Sequence, residues 1–219
     1  SDLKINFPTS KIIFYFHNDP NTLRGSKSNI EKKYINDNCQ IVFLSKWIRK
    51  KFKNKISINK KNLVIYPGVK KPKYKQKDKI IFFCGKLNNS KGYDIFIEAT
   101  KKLKKIKKFS DWKIISAGSE SRRSLPVEDH INELGQISNK EVYKIYNKSL
   151  ISIAPSSWDE PLGRLPIESA AHGSIPITSN KGGLPETNQD GFVLKYNTSE
   201  ELFKLLIRLL SDIFLNCFL

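Results

Sequence analysis

Methionine is absent from the 219 residues. A chain without one is expected to be processed, or to be a piece of a longer protein. Cysteine is scarce: Cys39, Cys84 and Cys217 are odd in number, far apart, and form no C-x-x-C pair. That excludes a disulfide framework and a zinc ribbon. Cys39 and Cys84 sit in apolar, strand-like runs, so they read as buried reduced thiols, and a cytosolic compartment is expected. No signal peptide is visible, and no apolar run reaches the roughly 20 residues that span a bilayer. Histidine occurs only at His17, His130 and His172, too scattered for a metal cluster. Arginine is limited to positions 24, 49, 122, 123, 164 and 208. Nucleic-acid readers lean on arginine and clustered aromatics, whereas Trp47, Trp112 and Trp158 are dispersed. A nucleic-acid module is therefore not expected.

What is present is lysine. The net charge is +18 and the pI about 9.7. Such a balance suits acidic partners such as phosphorylated small molecules or anionic lipid. A coding bias toward AT-rich codons explains the same composition, and composition does not separate the two. One lysine run has a local reading. Ile95, Ala99, Leu103 and Ile106 recur at helical spacing, and lysines 101, 102, 104, 105, 107 and 108 take the remaining surface. A solvated helix face is the plainer reading; attraction to anionic head groups is the functional one.

Apolar runs of strand length fall at 12–17, 40–44, 63–66, 80–84, 113–117, 151–155, 175–179 and 192–194. Amphipathic stretches of helix length fall at 46–52, 93–107, 139–147, 165–172 and 199–211. The alternation predicts an α/β fold, and the solidly apolar strands predict a parallel sheet buried on both faces. The lysine-rich, proline-containing stretch 54–79 reads as a linker and a new start. The expected organisation is a partial α/β unit over 1–60, followed by a Rossmann-like domain over 61–219 with helices on both faces of its sheet.

Three loops carry candidate chemistry. After the strand 80–84 comes Gly85, Lys86 and then Lys91-Gly92 opening a helix. This places two ammonium groups at the carboxyl edge of the sheet, where open α/β sheets bind ligands, and a diphosphate is the natural guest. A turn with two exposed lysines is the plainer reading. After the strand 151–155 comes Glu160-Pro161-Leu162-Gly163, with Pro166 in the first turn of a helix that carries Glu168. Two carboxylates there can accept hydrogen bonds from vicinal diols, with the amides of Leu162 and Gly163 between them. A capping acid and a surface acid would explain the same residues. After the strand 175–179, Gly182-Gly183 allows close backbone approach to a ligand or to another loop.

Together, Gly85-Lys86…Lys91-Gly92, the Glu160…Glu168 pair spaced by seven residues, and Gly182-Gly183-Leu184-Pro185-Glu186 resemble the retaining glycosyltransferases of the GT-B fold, family 4 (group 1). The segment 64–69 resembles the opening of that family's C-terminal domain. The segments 13–19 and 40–48 resemble the last two strands of its N-terminal domain, with His17 in the place of a histidine that faces the donor sugar. The resemblance implies transfer of a sugar from a nucleotide sugar, UDP- or GDP-linked, to an acceptor glycan or lipid-linked saccharide, with retained configuration. It implies that Glu160 contacts sugar hydroxyls, that Leu162 and Gly163 offer amides, and that Glu168 holds the ribose. Lys86 and Lys91 would neutralise the diphosphate, and the base would lie near Gly135–Ile137. Catalytic roles would fall to Glu160, Lys91 and His17, and neither metal nor cofactor is expected.

Two departures qualify this. Lys86 stands where the family usually has arginine, and most of the acceptor-side domain is missing from the chain. Because this fold closes both domains over the donor, the alternative expectation is a donor-binding fragment without activity of its own. A cytoplasmic site, peripheral to the inner membrane face, is the expected location.

Overall fold

The computed structural model describes residues 12–19, 39–53, 62–70, 72–73, 76–122 and 124–216. The chain divides into two compact units, 1–68 and 69–219.

In the first unit, β1 (Ile12–Phe16), β2 (Cys39–Phe43) and β3 (Asn62–Val64) form a parallel sheet in the order β1-β2-β3. Helix α1 (Lys46–Lys53) follows β2, and Ser45 Oγ accepts from Ile48 N at 3.0 Å at its start. Ile41, Phe43, Ile48 and Phe52 form the core, with Phe16 and Val64 packed against it. Here the structure corrects the expected boundary. Residues 62–64 belong to this sheet: Leu63 pairs with Val42, and Ile65 N donates to Phe43 O at 3.0 Å. The division falls at Gly68 and not at residue 60, because backbone pairing of β3 to β2 outweighs the change in composition that suggested a linker.

The second unit holds β4 (Asp78–Cys84), α2 (Tyr93–Lys104), β5 (Lys113–Ala117), β6 (Ile131–Glu133), α3 (Asn139–Lys148), β7 (Ser149–Ala154), α4 (Leu165–Ala171), β8 (Ile175–Ser179), α5 (Leu184–Thr187), β9 (Phe192–Leu194) and α6 (Ser199–Asn216). Six parallel strands run in the order β6-β5-β4-β7-β8-β9. The expected α/β class, a parallel sheet with helices on both faces, is what the structure has. Alternate residues of β4 supply the two faces. Ile81 and Phe83 pack in the core that holds α2 and α6, while Ile80 and Phe82 pack with Val142 and Tyr146 of α3 and Leu165 of α4. The buried stripe of α2 is Tyr93, Phe96, Ile97, Ala99, Thr100 and Leu103; Ile95 and Ile106, expected in it, are only half-buried.

The chain builds outward from β4 to β5 and β6, then returns to place β7 on the other side of β4. This reversal makes β4/β7 the switch point, and the crevice beyond the carboxyl ends of these two strands is where such a sheet takes ligands. Two elements escaped the sequence. Strand β6 is an edge strand of three residues with Ile131 alone buried, and α5 is four residues long.

One lysine ties the opposite edge together. Lys77 Nζ donates to the carbonyls of Tyr146 and Asn147, both at 3.0 Å, and of His172 at 2.5 Å. These carbonyls lie at the C-terminal ends of α3 and α4, where a cation is favoured by the helix dipole. Burial lowers the Lys77 pKa. Lys77→Met keeps the stem and removes the charge; it should lower unfolding stability by about 1.5 kcal/mol, read as a shifted denaturant midpoint at unchanged slope.

Candidate functional site

The loop after β4 begins with Gly85, whose N–H donates to Ala117 O at 3.0 Å, while Gly118 N donates to Gly135 O at 2.8 Å. The carboxyl ends of β4, β5 and β6 are thus joined backbone to backbone. Asn88 then caps a short 3-10 turn, Asn89–Lys91, by accepting from Lys91 N. Its Nδ2 donates to Glu120 Oε2 at 2.6 Å. The Arg122 N–H, then Asn88, hold the Glu120 carboxyl below its usual range. The turn ends at Gly92, with φ +70, where a Cβ would lie 1.8 Å from Pro155 O. Only glycine permits α2 to start this close to the β7 loop.

That loop is fastened to the first. Ser90 O accepts from Ser157 N at 3.1 Å and Trp158 N at 3.0 Å. Asn197, at φ 52, donates from Nδ2 to Pro155 O and Ser156 O at 3.1 and 3.2 Å. The result brings Lys91 to Glu160: Nζ and Oε1 are 2.5 Å apart, with the side chains 30% and 16% exposed. Ser156 Oγ lies 3.1 Å from the same carboxylate oxygen. A partly buried pair of this kind is fixed more firmly than a surface one, because both charges have given up water for each other.

The Gly182-Gly183 turn approaches the Glu160 loop. Gly183 N donates to Glu160 O at 2.7 Å, and Gly182 N to Asp159 Oδ1 at 3.1 Å. A Cβ on Gly182, at φ +60, would lie 2.1 Å from Glu160 O. Of the two partners these glycines could have had, the structure supplies another loop: they hold the Glu160 backbone from behind. Neither Leu162 N nor Gly163 N has an acceptor among the described residues.

Helix α4 follows, with Pro166 in its first turn and Glu168 one turn in. The Glu168 carboxylate is 13% exposed; Arg164 Nη2 lies 2.7 Å from Oε1, and Tyr143 OH donates to the same oxygen at 3.4 Å. Gly85, Lys91, Glu160, Gly163, Arg164 and Glu168 all line one cavity of about 230 Å³. A second cavity of about 220 Å³ shares Cys84 and Gly85 and is lined by Lys86, Ser119, Gln136, Ile137 and Asn139. Cys84 lies between them, its thiol pushed up to about 11 by burial and so protonated at neutral pH.

The structure therefore gathers Gly85, Lys86, Lys91, Glu160, Gly163, Glu168 and Ile137 along one edge of one sheet, with Leu162 buried beneath them. His17 lies in the first unit, exposed just past β1, its ring 4.3 Å from that of Tyr15. Sequence reasoning missed Arg164, Tyr143 and Ser156. Arg164 alone left a signal, an arginine four residues before an acid on a helix.

Residues 67–213 match the family described as "Glycosyl transferases group 1", and the chain belongs to that family. It is 25% identical over 247 aligned residues to the putative glycosyltransferase YtcC of Bacillus subtilis, covering 94% of this chain and 60% of that protein. In fold it resembles a glycosyltransferase from Rickettsia africae, at 22% identity and a TM-score of 0.74, over 96% of this chain and 63% of the other. It also resembles Anabaena Alr3699/HepE, solved in complex with UDP-glucose, at 16% identity and a TM-score of 0.71, over 92% and 63%. The fold is that of the GT-B glycosyltransferases. The chain spans 33% of the length of the B. subtilis spore coat protein SA and 60% of that of YtcC.

Gly182→Ala should cost about 2–4 kcal/mol, since a β-carbon there meets backbone in a left-handed conformation. Gly68→Ala, with nothing within 4 Å, should change stability little. Chemical denaturation of the two variants checks this.

Proposed function

We propose that the second unit binds a nucleotide sugar, and that the whole protein transfers its sugar to an acceptor glycan or lipid-linked saccharide with retention of configuration. The observation that carries this reading is the Lys91–Glu160 pair in the same cavity as Glu168. An ammonium, two carboxylates and the unpaired amide of Gly163 lining one crevice complement a molecule that carries a diphosphate and two sets of vicinal hydroxyls.

In this reading the second cavity takes the base, against the backbone about Ile137, and Glu168 takes the ribose. Arg164 and Tyr143 both hold Oε1 of Glu168, which leaves Oε2 for a ribose hydroxyl. The diphosphate lies across Gly85 toward the amides of Leu162 and Gly163, between Lys86 and Lys91. Glu160 keeps one oxygen on Lys91 and turns the other to hydroxyls of the sugar. When the bond from the anomeric carbon to the diphosphate oxygen breaks, the electron pair leaves with the diphosphate, and the Lys91 ammonium stabilises that growing charge. The two lysines are the positive charge this reading assigns to the leaving group, with no metal or cofactor. Lys86 does so as a point charge, where an arginine would grip two oxygens. His17 keeps the role the resemblance implies, that of a histidine facing the donor sugar. GDP- and UDP-linked donors both fit this chemistry, and the site would face the cytoplasm, where such donors are made.

Calorimetric titration with UDP, GDP and ADP tests the reading. At least one nucleotide should bind saturably, and Glu168→Ala should weaken it about tenfold or more, the loss of a charged hydrogen bond. Glu160→Ala should spare the nucleotide and weaken its sugar conjugate. Binding of all three nucleotides no tighter than millimolar would end the proposal.

A further inference from the structure

The lysine run 101–113 takes no part in the donor crevice. It holds seven lysines and one acid, Asp111, in thirteen residues. The structure sorts these lysines. Lys101 pairs with Glu128 at 3.1 Å and Lys102 with Glu200 at 2.7 Å, so both charges are answered. Lys104 Nζ bonds the carbonyls of Ser110 and Trp112, which draws the end of α2 against the start of β5. Asp111 is neutralised by Lys79 at 2.6 Å. Lys105, Lys107 and Lys113 are exposed, and their ammonium groups have no hydrogen-bond or ion-pair partner among the described residues. Lys108, also exposed, lies 5.7 Å over the Phe109 ring.

Topology fixes where these cations lie. Helix α2 leaves the carboxyl edge of the sheet at Gly92 and runs back along it for 12 residues, about 18 Å. Its end, and Lys113 at the head of β5, therefore mark the amino edge, opposite the donor loops. Asp129 lines the same edge, beside Lys104, Lys113 and His130. The cations still outnumber the acids there. Phe109 and Trp112 are buried, so the cluster offers no aromatic platform on which a base could stack, and residues 101–113 contain no arginine for base edges. What remains is point charge on a polar face, which an anionic bilayer answers without any need for shape.

We infer that the amino edge of the six-stranded sheet is a contact surface for an anionic bilayer, with Lys105, Lys107 and Lys113 as its principal cations. Contact through this edge leaves the donor crevice of the same unit facing away from the lipid and open to a water-soluble donor. The attraction is electrostatic and reversible, since none of the exposed large apolar side chains falls within residues 101–113.

Sedimentation of the chain with vesicles tests this. Phosphatidylcholine vesicles containing 40% phosphatidylglycerol should bind it in about 0.1 M salt, pure phosphatidylcholine should not, and 1 M salt should release it. The triple change Lys105→Gln, Lys107→Gln, Lys113→Gln should lower partitioning about a hundredfold, at about fivefold per lysine. Lys140→Gln, Lys144→Gln, Lys195→Gln removes the same charge from exposed positions away from that edge and should retain binding within a few fold. Equal loss in both triples, equal binding to neutral vesicles, or no binding by the wild type overturns the inference. So does binding to duplex DNA that the first triple abolishes while vesicle binding survives. Nucleotide titration of the first triple keeps the two claims apart: affinity should be unchanged there, and an absence of nucleotide binding in the wild type would fail the donor site alone.

Discussion

The carboxyl edge of this sheet is organised by how closely its loops approach one another. The carbonyl of Pro155 occupies the space that a side chain on Gly92 would need, and the carbonyl of Glu160 does the same at Gly182. With those side chains absent, the β4 loop, the β7 loop and the β8 loop lie backbone on backbone, and their amides and carbonyls satisfy each other through Ser90 and Gly183. The Lys91–Glu160 pair is a consequence of that packing.

Once the loops are fixed, the site follows from where the chain reverses. β4 and β7 are neighbours in space although β5 and β6 intervene in sequence, so the loop that carries Lys91 and the loop that carries Glu160 leave adjacent strand ends. Arg164 and Tyr143 then settle Glu168 by local and tertiary means together, one from the same helix and one from α3. The fold thereby separates two kinds of charge. Paired, partly buried charge faces the crevice at the carboxyl edge, and unpaired lysine gathers at the amino edge. The first arrangement suits a ligand bound in one orientation; the second suits a partner that needs only attraction.

Much of this could be read from the residues in order. Strand and helix positions were legible because β4, β7 and β8 are apolar on both faces and Pro166 marks a helix start, both local signals. The Lys91 and Glu160 loops were legible as chemistry for the same reason. What escaped is non-local. β3 has an exposed Leu63 and three residues, so its membership in the first sheet depends on pairing with β2 that no local pattern records. β6 has one buried residue and gains its place from hydrogen bonds to β5. The purpose of Gly182-Gly183 was open between ligand and loop until Glu160 was found behind it. The stripe of α2 turned because α6, distant in sequence, covers its buried face together with the sheet.

The central claim is that three loops of one sheet edge form a single donor site. Backbone amide shifts measured during titration of the chain with UDP or GDP, by two-dimensional NMR, test it most directly. The account predicts saturable shifts that share one dissociation constant at Gly85, Leu162, Gly163 and Ile137, with Lys105 and Val193 unmoved. Shifts scattered over the lysine-rich amino edge, or none at Leu162 and Gly163 while others saturate, would contradict it.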